Sequence, residues 1–221
     1  VPGSVVVVHA SRYLAGRVAE AQCGSTVHLL DDGFQHVQLM RDIDLLVAPP
    51  ADFVSTATLP FGRFREPLDA AAAADALLVP AADLSDATSA HQMGERLRVS
   101  TAFGFVRSVP PPKSVAPVFA FAGIAKPDDF FEELERAGWR LAGRRAFPDH
   151  HQYSARDLES LQLAARGVGA EELATTSKDA VRFALSVVEG TIPVTEVALH
   201  IALDPAFRPW LQQKLAQARA A

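Results

Sequence analysis

The sequence predicts an α/β fold with a largely parallel sheet, divided into two lobes. Three observations predict it. Short apolar runs alternate with amphipathic stretches along the 221 residues, the pattern of strands joined by crossover helices. Near the middle, Pro110-Pro111-Pro112 and Pro117 interrupt that alternation, because proline continues neither a helix nor a central strand. Finally, an apolar run ends in two adjacent carboxylates, Asp31 and Asp32, followed by Gly33. The expected organisation is residues 1–108 as one lobe, 109–117 as linker, and 118–221 as a second, smaller α/β lobe.

Taken in order, Val5-Val6-Val7-Val8 reads as a buried strand, and Ser11 caps a helix through Cys23. Val27 to Leu30 reads as a second strand and Ile43 to Ala48 as a third. Pro67 suits the first position of a helix that runs into Ala70–Ala74, and Leu77 to Val79 is a short strand closed by Pro80. Beyond the linker, Val118 to Ala122 is a strand and Pro127 to Ala137 a helix stopped by Gly138. Trp139 to Phe147 is extended, and Ser154 with Asp157 forms the capping box of a helix to Arg166. Leu173 to Thr175 is a strand, Ser177 to Leu185 a helix, and Ile192 to Leu203 extended. A last amphipathic helix, Pro205 to Ala218, buries Trp210, Leu211 and Leu215.

Composition narrows the function. With 49% hydrophobic and 21% charged residues the profile is that of a folded globular protein. A net charge of -5 provides no global attraction for nucleic acid. The single cysteine, Cys23, excludes an internal disulfide framework and a cysteine-based zinc cluster, and reads as a small half-buried residue at a helix end. No apolar stretch approaches the roughly 18–20 residues that span a bilayer. The start, Val1-Pro2-Gly3-Ser4, is neither a signal nor a transit peptide, and the chain enters its first strand at once. A truncated chain is the expectation, with an alternative start codon as the other reading.

The chemistry concentrates in Leu29-Leu30-Asp31-Asp32-Gly33-Phe34-Gln35-His36, followed by Leu39, Arg41 and Asp42. Carboxylates at the carboxyl end of a strand lie where open α/β folds bind ligands. They suit Mg²⁺, which takes one or two protein oxygens beside substrate phosphates. Asp-Asp-Gly is equally an ordinary turn, so on residues alone both readings stand. Arg65 beside Glu66 reads as a phosphate ligand or as a surface ion pair. Asp149-His150-His151 offers metal-ligand types, but no further ligands stand at suitable spacing, so no zinc is assigned. Thr176 and Asp179 fit a second capping box, and Lys178 at that helix start opposes the dipole.

The string Asp31 to His36 with Leu39, Arg41 and Asp42 is similar to the signature of the tetraacyldisaccharide 4′-kinases. Leu59-Pro60 with Arg65-Glu66-Pro67-Leu68, Phe121-Ala122-Gly123-Ile124 with Pro127 and Phe130, Phe147-Pro148-Asp149-His150-His151, and Thr175-Thr176-Ser177-Lys178-Asp179-Ala180-Val181 resemble further blocks of that family, in order. The resemblance implies a P-loop NTPase-like parallel sheet, incomplete at its N-terminus. It implies transfer of the γ-phosphate of ATP, with Mg²⁺, to the 4′-hydroxyl of a lipid A disaccharide 1-phosphate precursor. The family's enzymes work on the membrane surface at the cytoplasmic face of the bacterial inner membrane. By the same resemblance Asp31 and Asp32 are the metal and water-positioning carboxylates, Gln35 and His36 lie in the cleft, and Arg65 binds phosphate. His150 supports the catalytic base from the second lobe.

The chain also departs from the family. It contains no Gly-x-x-x-x-Gly-Lys-[Ser/Thr] loop to cradle phosphates. In the family that loop, a catalytic aspartate and a membrane-associating helix precede the segment equivalent to Val5. Ser55-Thr56-Ala57 stands for the family's Gly-Asn-Gly, Phe61-Gly62-Arg63-Phe64 for Ala-Gly-Pro-Leu, and Ser177 for a common Glu. Two classes follow: a lipid A kinase seen as an incomplete chain and inactive alone, or a non-catalytic remnant or partner-binding module.

Overall fold

The computed structural model describes residues 4–53, 56–62, 64–85, 87–182 and 191–220. Residues 1–105 with 203–221 make one compact unit, and residues 106–202 make another. Both are built on parallel sheets. One sheet takes β1 (Leu45–Val47), β2 (Ala76–Pro80), β3 (Ala102–Ser108) and β8 (His200–Leu203) in the order β1-β2-β3-β8, with Val106–Ser108 of β3 and His200–Ala202 of β8 counted in the second unit. Leu45 aligns with Ala76 and Leu77 with Ala102, both in parallel ladders. The other sheet takes β4 (Val118–Ala122), β5 (Leu141–Ala146), β6 (Glu172–Thr176) and β7 (Val194–Val197) in the order β5-β4-β6-β7, with every one of its pairs parallel.

Side-chain alternation explains why helices cover both faces of each sheet. Every residue of β4 is buried. Val118, Ala120 and Ala122 pack with Phe130, Phe131 and Leu134 of α3 (Pro127–Arg136), together with Trp139. Phe119 and Phe121 point the other way, to Leu161 and Ala165 of α4 (Ala155–Gly167). The same logic governs β2. Leu77 and Val79 meet Ala90, Met93 and Leu97 of α2 (Thr88–Leu97). Ala76 and Leu78 meet Phe207, Trp210 and Leu211 of α6 (Phe207–Ala220). Burying each of the larger apolar side chains among these stabilises by about 1.5–3 kcal/mol. The last helix therefore packs with the first unit, whereas the sequence expectation grouped residues 118–221 together.

Other differences are local. Neither Val5–Val8 nor Val27–Leu30 forms a strand; Val6, Val8 and Leu29 stand exposed. An apolar run becomes a strand only when a neighbour pairs with it, and among the described residues none does. Residues 43–48 contribute only the three-residue β1. Pro67 precedes a 3₁₀ turn, Leu68–Ala73, rather than opening an α-helix. Cys23, the last residue of α1 (Arg12–Cys23), is exposed and not half-buried. The helix α5 (Ser177–Arg182) starts as expected, and its expected continuation to Leu185 lies outside the described residues.

Candidate active site

Residues 31–39 make a succession of turns in the first unit. Asp32 holds a left-handed backbone, φ 52°, which aspartate tolerates better than most residues. Gly33 is buried, and a Cβ there would stand 2.6 Å from the Leu30 Cβ, so the loop closes only around glycine. Arg41 ties the turns together. Its guanidinium donates to the Asp44 carboxylate at 2.6 and 3.1 Å, and to the backbone carbonyls of His36 (2.6 Å), Leu39 (3.2 Å) and Phe34 (3.3 Å). The hydrogen bond to Asp44 holds the Arg41 cation above its ordinary range.

On this loop the structure brings three of the sequence-selected residues together. Arg65 Nη1 donates to Asp32 Oδ2 at 2.9 Å and to Gln35 Oε1 at 3.2 Å. Both Arg65 and Asp32 are mostly exposed, at 62% and 74%, so stability does not account for the pair. The Asp31 carboxylate has no partner among the described residues and faces solvent. His36 contributes through its backbone: its N–H donates to Gly33 O at 3.0 Å, and its side chain is exposed.

The donor set suits Mg²⁺. Two adjacent carboxylates, Asp32 bonded to Arg65 and Asp31 with no partner among the described residues, match an ion that completes its shell with water and phosphate oxygens.

His150 belongs to the second unit, at the carboxyl edge of its parallel sheet. There Gly123 follows β4, Phe147–His151 follow β5, and Thr176 ends β6. Asp179 is fully buried and accepts from the Gly123 N–H at 3.0 Å and the Thr176 hydroxyl at 2.8 Å. Its own N–H donates to Thr176 Oγ1 at 3.1 Å, so the capping role expected from sequence is present alongside a burial that was not foreseen. Arg182 lies 3.6 Å from Asp179 and donates to the Gly123 carbonyl at 3.4 Å. A Cβ on Gly123 would meet Tyr153 Oη at 2.9 Å and Asp179 Oδ1 at 3.2 Å. Burial, and then Asp179, pushes the Tyr153 phenol far above its ordinary value.

The three residues of Asp149-His150-His151 part company. His150 takes φ 60°, donates its backbone N–H to Gly123 O at 3.1 Å, and turns its ring Nδ1 to Arg182 at 2.9 Å. Asp149 lies 3.7 Å from the His150 Nε2. His151 stacks on Phe147 at 4.7 Å and pairs with Asp157 at 3.3 Å, a packing role at the start of α4. Sequence reasoning gave Arg41, Tyr153 and Arg182 no role. The arginine–aspartate spacings Arg41…Asp44 and Asp179…Arg182, each three residues, were the available signal.

The match to the tetraacyldisaccharide-1-P 4′-kinase family model covers residues 1–216. The tetraacyldisaccharide 4′-kinase of Pelobacter propionicus is 36% identical over 196 residues, covering 82% of this chain and 53% of the relative. That of Koribacter versatilis is 35% identical over 204 residues, covering 91% and 61%. The crystal structure of LpxK from Aquifex aeolicus in complex with ATP matches with a TM-score of 0.64 and 25% identity, over 93% of this chain and 62% of that one. The chain thus spans between half and two thirds of the length of these relatives. Its two parallel α/β sheets are the fold of that enzyme. With the family model matched over residues 1–216 and relatives 35–36% identical over most of the chain, the chain belongs to the tetraacyldisaccharide-1-P 4′-kinase family.

Proposed function

We propose that this chain is part of a lipid A 4′-kinase that transfers the γ-phosphate of ATP to the 4′-hydroxyl of a lipid A disaccharide 1-phosphate precursor. The carrying observation is the Arg65 hydrogen bonds to Asp32 and Gln35, which join two motif blocks some thirty residues apart at one exposed point. In the reaction the sugar hydroxyl forms a bond to the γ-phosphorus as the β–γ bridge breaks, ADP departs, and the hydroxyl proton passes to a base. Asp31 and Asp32 would hold Mg²⁺, which when bound neutralises charge on the phosphates. Arg65, already fixed in orientation by Gln35, would present its remaining N–H donors to a phosphate oxygen. Gln35 and His36 line the same loop, and His150 supports the base by orienting it. The site of action is the cytoplasmic face of the inner membrane. Among the described residues no helix is long and apolar enough to cross it, and surface association is the mode proposed.

Residues 1–221 contain no phosphate-cradling loop, so calorimetry on this chain is expected to show only weak binding of Mg·ATP. The decisive experiment restores that loop. The N-terminal segment of the Koribacter versatilis kinase, fused ahead of this chain, should give a protein that phosphorylates the disaccharide. Asp32→Asn in the fusion should lower kcat by about 10²–10³-fold. A folded fusion that binds ATP but transfers no phosphate would replace this reading by the non-catalytic, partner-binding one.

A further inference from the structure

The Thr175–Val181 block and the Arg182 that follows it have no part in the function proposed above, yet they grip His150, the residue that the proposal needs in the second unit. We propose that Arg182 is a positioning residue that locks the His150 ring in one orientation and one tautomer, with the buried Asp179 as its anchor. The inference rests on the reading of His150 as support for the base and says how that support is fixed.

The His150 side chain is 77% exposed, and exposed loop histidines ordinarily exchange rotamers. Here Arg182 Nη2 lies 2.9 Å from Nδ1. A guanidinium can only donate, so Nδ1 must accept. A neutral ring then carries its proton on Nε2, and that N–H faces outward with Asp149 Oδ2 3.7 Å away. The ring is thereby a donor at its outer end. A donor at that point can orient a carboxylate base; it cannot itself take the substrate proton there.

Arg182 is suited to hold rather than be held. It is only 21% exposed, whereas Asp179 beneath it is 0% exposed. The Asp179 charge is compensated by the Gly123 N–H, the Thr176 hydroxyl and Arg182 itself, which fixes the carboxylate in place. The Gly123 carbonyl accepts from both Arg182 and the His150 backbone N–H. One short loop therefore registers the arginine against the histidine, and the left-handed backbone of His150 aims the ring at it.

The test uses this chain labelled with ¹⁵N-histidine, His150 being assigned by loss of its signals in His150→Gln, at a pH where the imidazole is neutral. The expected result is a pure Nε2–H tautomer and an ordered ring. Arg182→Met should release the ring and populate the Nδ1–H form, and Arg182→Lys, which keeps a donor, should restore the Nε2–H form. A mobile or mixed-tautomer ring in the unmodified chain overturns the proposal even if Arg182→Met fails to fold; so does an unchanged ring in Arg182→Met. In the active fusion, Arg182→Met should lower kcat at least about tenfold with KM for the disaccharide unchanged. A released ring with unchanged kcat would overturn the catalytic use of His150 while leaving the kinase assignment intact.

Discussion

Asp32 and His150, picked from sequence as site residues, share a backbone conformation that few non-glycine residues adopt. Among the described residues only Arg98 joins them, at the C-terminal cap of α2, where glycine is the usual occupant. Arg98→Gly is accordingly expected to stabilise the first unit by about 0.5–1 kcal/mol in urea denaturation. Gly123 presents the opposite case. An added methyl would press on Tyr153, His151 and Asp179 at once, so Gly123→Ala should cost the second unit about 1–3 kcal/mol. At this scale the chain was partly legible. Asp-Asp-Gly announces a turn because its residue types carry local conformational preferences. Arg41 and Arg182 gave no such announcement, since their roles arise from carbonyls and carboxylates gathered by folding.

The cap of α4 was fully legible, because Ser-x-x-Asp acts within four residues. Ser154 and Asp157 exchange hydrogen bonds of 2.7–3.3 Å, and Ser154→Ala should cost about 1 kcal/mol. The Ser154 hydroxyl and then its backbone N–H hold the Asp157 carboxyl below the usual carboxylate range against the opposing effect of burial, with His151 adding a lesser contribution. A carboxyl with a depressed native value stabilises the fold above its unfolded value of about 3.9, and that contribution fades as pH falls through the native value. In a denaturation series from pH 6 to pH 2, Asp157→Asn should remove part of the acid-side loss seen in the unmodified chain. Strands were less legible than helices. Val5–Val8 and Val27–Leu30 carry every compositional sign of a strand, and Leu45–Val47 fewer. What separates them is a partner: β1 finds β2 31 residues later, Leu45 beside Ala76, and sequence composition does not record who will lie alongside.

On the scale of the molecule, parallel α/β architecture was readable from the alternation of runs, and the allegiance of the last helix was not. Its placement follows from aromatic packing: Phe207 and Trp210 each meet Phe103 with ring centroids 5.4 Å apart, and Lys214 reaches Asp75 at 3.0 Å. Phe207→Ala should cost the first unit about 3 kcal/mol, read as a lower denaturation midpoint with the second unit unmoved. The chain passes into the second unit along β3 and returns along β8, which are adjacent in one sheet. Residues 106–202 thus form one uninterrupted stretch of sequence inserted between the two pieces of the first unit. In genetic terms such an insert is a cassette. The inserted stretch keeps two hydrophobic clusters of its own. Two crossovers, one at each end of the stretch, would exchange this piece between lineages while retaining both the carboxylate loop and the last helix.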